Sequence, residues 1–232
     1  MKRALAYERV RAFTLRSSWG FPLVGVLLTW ALGAFLVLTA SAGSEVQLSS
    51  FVGQVFSPIS ALFLTVPFAQ AFGHDYRDGT MRLTLSEFPN RRNVFLAKLI
   101  VPAVIALVAT IVTVLGLAAI VQLVPSYGLE DLPQLLFREC GFTVMWGVIV
   151  ASITQITRSM AAGVVGPVIW WLLVEQLLGS LLSRFPFALE LMPINQGLLW
   201  SQFGEPRAGL VMLGATVIVA VVAFVRFTRR DA

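Results

Sequence analysis

Charged side chains are scarce in this chain. Aspartate, glutamate, lysine and arginine make up 12% of its 232 residues, whereas hydrophobic residues make up 57%. Soluble globular domains carry about 25% charged residues. So few polar side chains cannot cover the surface of a water-soluble protein, and we expect lipid to be the main solvent of this chain.

Residues and motifs that support chemistry are also few. The single cysteine, Cys140, excludes an internal disulfide, and the single histidine, His74, cannot build a histidine-rich metal site. The chain contains no GxxxxGK[ST] loop for ATP phosphates and no HExxH or GxSxG motif. We therefore expect no catalytic centre, no metal and no cofactor held by this chain itself. Its basic residues lie at the ends of apolar runs, which argues against nucleic acid as a partner.

Six apolar runs are near or above the roughly 20 residues that a helix needs to cross a bilayer. They predict an all-α polytopic membrane protein, one transmembrane domain with six spans. The predicted spans are residues 21–41, 51–72, 94–124, 135–156, 161–182 and 208–227.

The basic residues predict the orientation of these spans. Fourteen of the 17 lysines and arginines lie in the N-terminal segment, the 74–98 connector, the connector at Arg158 and the C-terminus. The other connectors hold only Arg138, Arg184 and Arg207. Because lysine and arginine are retained on the cytoplasmic side, we expect both termini to be cytoplasmic and the protein to lie in the cytoplasmic membrane.

Two segments outside the spans are expected to lie along the membrane surface. Residues 1–20 are basic and place Val10 and Phe13 at helical spacing, which predicts an amphipathic interfacial helix that ends near Trp19. A solvated basic tail is the alternative. Residues 183–207 hold two apolar patches broken by Pro193 and Gly197, which predicts an outer helical hairpin.

The 74–98 connector is the largest charged segment of the chain. Acidic and basic residues alternate in it, whereas a topology anchor needs only the basic ones. Thr80 is expected to cap a short amphipathic helix that ends before Pro89, and such a helix is suited to a groove on a cytoplasmic partner. A charged turn between two spans is the alternative. The alternating charges are Asp75, Arg77, Asp78, Arg82, Glu87, Arg91 and Arg92.

Glu175 lies in the middle of the fifth apolar run, where an ionised carboxylate costs about 2.5 kcal/mol or more. Two interpretations are equally open. Glu175 either belongs to a substrate path or gate, or it makes a structural hydrogen bond between helices.

The 74–98 connector resembles the E-Y-R-x-G-T…P-x-R-R…A-K signature of ABC-2 type transporter permeases. The matching residues are Tyr76 to Thr80, Pro89 to Arg92, and Ala97 with Lys98, and Asp75 takes the acidic position. Leu173-Val174-Glu175 also resembles actinobacterial members, although Gln176 stands where proline is expected. The resemblance covers essentially the whole chain, including its length, six spans and long last outer connector.

This resemblance implies a permease subunit without its own ATPase site. Two such subunits, expected to be a homodimer, would pair with two copies of a cytoplasmic ABC ATPase that binds ATP and Mg²⁺ and drives export of a drug, peptide or lipid-like substrate. The short helix would be the coupling helix. Asp75, Arg77, Asp78, Thr80, Arg82 and Glu87 would serve the ATPase contact. The residues themselves favour Arg91 and Arg92 as ligands of phospholipid headgroups.

Two other classes of protein share the expected topology. A non-transporting membrane scaffold or assembly factor would not need the alternating charges of the connector. An autonomous ion-coupled carrier would have only one intramembrane carboxylate, Glu175, for coupling, and no inverted repeat is evident in the sequence.

Overall fold

The computed structural model describes residues 1–39, 52–53, 55–56, 59–88, 90–122, 132–181 and 190–230. Throughout these residues the chain is helical and contains no strand, so the all-α prediction is confirmed for the described part. The helices are α1 (Lys2–Thr14), α2 (Arg16–Thr39), α3 (Val66–Arg77), α4 (Met81–Glu87), α5 (Arg91–Val121), α6 (Leu132–Thr157), α7 (Met160–Ile169), α8 (Gln176–Leu181), α9 (Pro193–Phe203) and α10 (Pro206–Arg230), with π-helical segments at Ser60–Leu64 and Trp170–Glu175.

Five helical stretches among the described residues are long and apolar enough to cross a membrane. They correspond to the first, third, fourth, fifth and sixth predicted spans. The remaining predicted span, 51–72, lies partly outside the described residues, so the count of six stays a prediction. The five stretches are Arg16–Thr39, Arg91–Val121, Leu132–Thr157, Met160–Leu181 and Pro206–Arg229.

The N-terminal segment is two helices rather than one. Leu15 leaves the helical conformation with φ −81° and ψ 106°, so α1 ends at Thr14 and α2 begins at Arg16. Trp19 therefore lies in the first turn of α2. Val10 and Phe13 are exposed, and the buried residues of α1 are Ala4 and Glu8. The face of α1 that contacts the rest of the protein thus combines apolar with charged residues.

Helix α3 lies at the centre of the bundle and packs against α2, α5, α6 and α7. Every residue from Val66 to Gly73 is buried, as expected for a helix that other helices surround. An aromatic cluster then joins α3 to α5 and α10, with ring centroids of Phe72, Phe95, Phe224 and Phe227 between 5.4 and 6.0 Å apart in the contacting pairs.

One end of the bundle collects the basic segments, and we call it the basic end. There Arg91, at the start of α5, donates to the Thr228 carbonyl near the end of α10 at 2.8 Å. Arg158, between α6 and α7, lies 5.7 Å from the centroid of the Tyr76 ring on α3. Helix α1 contacts α5 at the same end through Lys98. The segments that the charge pattern assigns to the cytoplasm therefore lie together.

The opposite end of the bundle holds α9. The Trp200 ring of α9 is packed between α6 and α10, and a Cβ atom at Gly141 or Gly209 would stand only 2.5 or 2.9 Å from it. Small residues here allow the close helix approach that is typical of membrane proteins. Helix α9 corresponds to the second half of the predicted outer hairpin, and the first half lies largely outside the described residues.

Candidate functional site

The short helix α4 lies at the basic end, and a tight turn connects it to α3. Helix α3 ends at Arg77, and Gly79 adopts φ 67°, a left-handed conformation that glycine reaches at little cost. The chain reverses within Asp78, Gly79 and Thr80, and α4 begins at Met81. The position of α4 therefore depends directly on the last turn of α3.

Helix α4 has one buried and one exposed face. Met81 and Thr84 are buried, and Leu85 packs against the core that contains α3 and α5. The opposite face is exposed, and it includes the apolar side chain of Leu83, which is 69% accessible. The other residues of this face are Arg82, Ser86 and Glu87. A free face that combines charge with an apolar side chain is suited to contact another protein.

The expected cap of α4 is arranged differently from the prediction. Thr80 occupies the N-cap position, but its hydroxyl makes no capping bond to the backbone of α4. It donates instead to Asp75 Oδ1 at 3.0 Å. The side-chain capping predicted for Thr80 is therefore wrong, because its backbone is helical (φ −82°, ψ −6°) rather than in the extended conformation from which a cap oxygen accepts a backbone amide.

Asp75 belongs to a buried ring of four alternating charges, which we call the charge ring. Its members are Glu8 and Arg11 of α1, Asp75 of α3 and Lys98 of α5. Lys98 Nζ lies 2.7 Å from Glu8 Oε1 and also contacts Asp75 Oδ2. Arg11 Nη2 lies 2.8 Å from Asp75 Oδ1, and its Nη1 lies 3.7 Å from Glu8 Oε2, which closes the ring.

The charge ring is screened from solvent. The Lys98 side chain is 0% exposed and that of Asp75 is 1% exposed. Burial by itself raises the pKa of Asp75, but the cations Lys98 and Arg11 outweigh it and hold this pKa below its ordinary value. Asp75 is therefore ionised at neutral pH, and it is not accessible for direct contact with another protein.

Small polar groups extend the ring towards α2. The Ser18 hydroxyl donates to Gln70 Oε1 on α3 at 2.9 Å. Glu8, Arg11, Ser18 and Gln70 line part of a cavity of about 20 Å³, which is room for one water molecule. Helix α3 is thereby tied to α1, α2 and α5 by polar contacts.

Arg77 and Asp78 form an exposed pair beside α4. Arg77 Nε lies 2.9 Å from Asp78 Oδ1, and the two side chains are 68% and 48% exposed. The hydrogen bond from Arg77 lowers the pKa of Asp78, and the same bond raises the pKa of Arg77. Solvent screens such a pair, so it adds little stability and is free to exchange partners.

The two arginines predicted to bind lipid headgroups differ in the structure. Arg91 is half-buried and its guanidinium donates to the Thr228 carbonyl, so it satisfies the C-terminal turn of α10. Arg92 is exposed and lines an open groove together with Asn90, Arg91 and Thr228. Of the pair, Arg92 is the better placed for a headgroup phosphate.

Glu175 lies far from α4, at the end of the π-helical segment Trp170–Glu175. It is 1% exposed, and its carboxylate accepts hydrogen bonds from the backbone amides of Ile194 at 3.0 Å and Asn195 at 2.7 Å. The indole of Trp170 donates at 3.2 Å. These amides belong to the first turn of α9, where an anion is favoured. The contacts match the structural interpretation of Glu175.

A second intramembrane glutamate was not predicted as a site. Glu139, in the first third of α6, is 0% exposed, and neither carboxylate oxygen makes a well-formed hydrogen bond among the described residues. The Ser201 hydroxyl lies beside the carboxylate, but it donates its proton to the Leu198 carbonyl at 3.2 Å. The sequence carries the signal, since Glu139 is an acidic residue within the run 135–156. Glu8 and Arg11 were also missed as site residues. The only sequence signal for this cluster was Glu8, the single acidic residue in the basic segment 1–20.

His74 is adjacent to the charge ring and does not extend it into a metal site. Burial, with the positive charges of Arg77 and Arg11, lowers the pKa of His74. No cluster of three histidine, cysteine, aspartate or glutamate side chains that could hold a metal ion occurs in the part of the chain that the structure describes.

Comparison with known protein-family models gives no match to this chain, and no functionally characterised protein shows significant similarity to it.

Proposed function

We propose that the chain is the transmembrane subunit of an ATP-binding-cassette transporter, of the ABC-2 permease type. The observation that carries the proposal is the form of α4. The helix follows a Y-R-D-G-T segment, anchors Met81 and Thr84 in the core, and leaves a mixed charged and apolar face exposed at the basic end. We propose that a cytoplasmic ATPase binds this face.

The exposed face of α4 supports a protein partner better than lipid. Leu83 is flanked by Arg82 and, one turn later, by Glu87, so both signs of charge surround one apolar side chain. Protein interfaces combine an apolar anchor with a polar rim in this way. An anionic membrane surface would instead favour basic residues alone.

The site residues take different roles in this proposal. Arg77, Asp78, Arg82 and Glu87 are exposed and would contact the ATPase directly. Asp75 is buried and Thr80 donates to it, so both would act by positioning α4. Arg92 would bind a phospholipid headgroup, and Arg91 would hold the end of α10.

The remaining parts of the proposal follow from the resemblance and the charge pattern. The ATPase would carry ATP and Mg²⁺, two permease subunits would form a homodimer, and the complex would export a drug, peptide or lipid-like substrate. Both termini would be cytoplasmic. Glu175 would secure α9 at the outer end of the path, because its carboxylate is already occupied by two backbone amides and an indole.

Purification of the chain from its native membrane in mild detergent tests this proposal. We expect a stoichiometric soluble subunit that carries a GxxxxGK[ST] loop. Leu83→Asp should abolish the association, because it places a charge at the centre of the proposed contact. Leu191→Asp, at a position that is equally exposed but lies next to α9, is the control and should leave the association intact.

Two results would overturn the proposal. One is recovery of the chain alone, or with a partner that has no nucleotide site. The other is an ATPase that still binds the Leu83→Asp variant with unchanged affinity.

A further inference from the structure

We propose that the charge ring clamps α1 to the start of α4, so that α1 and α4 move as one body. Glu8, Arg11, Asp75 and Lys98 are then positioning residues for α4. The clamp itself follows from the geometry, and its part in coupling rests on the function proposed above.

The geometry of Lys98 makes the ring a rigid junction. Its ammonium group has three protons, and it has three acceptors: Glu8 Oε1 at 2.7 Å, the Ala71 carbonyl at 2.8 Å, and Asp75 Oδ2. The group is thus fully satisfied by protein atoms. One acceptor is on α1 and two are on α3, so the side chain fixes both helices relative to α5.

Thr80 links this junction to α4. Its hydroxyl donates to the same Asp75 oxygen that receives Arg11 Nη2. Only the three-residue turn of Asp78, Gly79 and Thr80 separates α3 from α4. A shift of α4 therefore acts directly on the carboxylate that holds α1.

A second contact joins α1 to the other end of α4. The ring of Tyr7 lies 5.7 Å from the ring of Phe88, the residue that follows α4. Helix α1 thus meets α4 at its beginning through the charge ring and at its end through an aromatic pair. In the proposed clamp, these two contacts restrain α4 from pivoting independently of α1.

Apolar burial of α1 is limited. Ala4 is its only fully buried apolar residue, and Leu5 and Ala12 are half-buried. Two alanines and a half-buried leucine contribute only modestly to the attachment of α1. Because the charges alternate around the ring, neutralising one member leaves an excess charge of the opposite sign in a buried site. Loss of any member should therefore release α1.

Cysteine labelling tests the clamp without a partner. In a Cys140→Ser background, Ala4→Cys reports on the buried face of α1 and should react slowly with a membrane-impermeant maleimide. Lys98→Met should raise this labelling rate about tenfold or more. Lys2→Cys is exposed and should react at the same fast rate with and without Lys98→Met.

Two further variants keep the test decisive. Thr110→Val removes a buried hydroxyl of α5 that lies 3.2 Å from the Thr143 hydroxyl, outside the ring, and should leave the labelling of Cys at position 4 unchanged. If Lys98→Met does not fold, Glu8→Gln replaces it, because Glu8 lies at the α1 side of the ring. Unchanged labelling in the folded ring variants would overturn the clamp.

A second measurement separates the clamp from coupling. In the ring variants we expect the ATPase to copurify with the chain while ATP-dependent transport falls about tenfold or more. If no ATPase accompanies the unmodified chain, the proposed function fails, and the labelling result still decides the clamp. If labelling rises but transport is unchanged, the clamp stands and its role in coupling is refuted.

Discussion

The two ends of the bundle bury charge in different ways. At the basic end, Lys98 is fully enclosed and meets two carboxylates and a carbonyl. Towards the other end, Glu139 is equally enclosed, and among the described residues it has no counter-ion in contact and no well-formed hydrogen bond, only the Ser201 hydroxyl beside it. Glu175 lies between these extremes, because backbone amides rather than a counter-ion satisfy it. Burial alone therefore does not reveal whether a charge holds the fold together.

A buried charge within a satisfied network and a buried carboxyl without a partner affect stability differently. Removing one member of a satisfied network leaves its partners uncompensated, which costs far more than the network contributes as a whole. Removing a carboxyl that has no partner relieves a cost instead. The same kind of substitution is thus expected to have opposite effects at the two ends.

The largest effect is expected for Lys98→Met. The substitution leaves two buried carboxylates, Glu8 and Asp75, with Arg11 as the one remaining cation of the ring, and we expect a loss of about 3–5 kcal/mol in the free energy of unfolding. That loss corresponds to a fall of about 6–20 °C in the unfolding temperature. Thermal unfolding in detergent measures it, with Thr110→Val as a buried control on the same helix. A fall no larger than that of the control would show that the ring does not stabilise the fold.

An intermediate effect is expected for Glu175→Ala. The first turn of α9 loses an anion that accepts two of its amides, and we expect a loss of about 1–2 kcal/mol. Thermal unfolding and the rate of proteolysis near α9 measure the change. Glu190→Gln, which removes an exposed negative charge just before α9, is the control and should change neither quantity. Normal stability of Glu175→Ala with lost transport would instead favour the gate interpretation.

The smallest effect, and the only one of opposite sign, is expected for Glu139→Met. A methionine of similar volume removes an unpartnered buried carboxyl, so we expect stability to be unchanged or higher by about 1 kcal/mol. The same thermal unfolding assay reports it beside Lys98→Met. A loss as large as that of Glu175→Ala would mean that the Glu139 carboxyl makes a stabilising contact, either with the Ser201 hydroxyl or outside the described residues.

Much of the architecture could be predicted from the sequence, because long apolar runs can only be helices in lipid. The helix that follows Thr80 was predicted at almost its observed bounds, since Gly79 and Pro89 are helix-breaking residues on either side of it. The partner of the Thr80 hydroxyl was not predictable. Capping needs an extended backbone at the cap residue, whereas the turn after α3 holds Thr80 in a helical conformation and places its hydroxyl at Asp75.

Sequence by itself predicted lipid as the solvent of this protein, and it determined the helical class and which connectors carry the positive charge. Those properties depend on composition and on spacing along the chain. Only the tertiary structure decided which charges meet. Glu8 and Lys98 are 90 residues apart, and no local pattern relates them. Their pairing follows from the packing of α1 against α3 and α5, because a buried cation is tolerated only where the fold brings carboxylates to it.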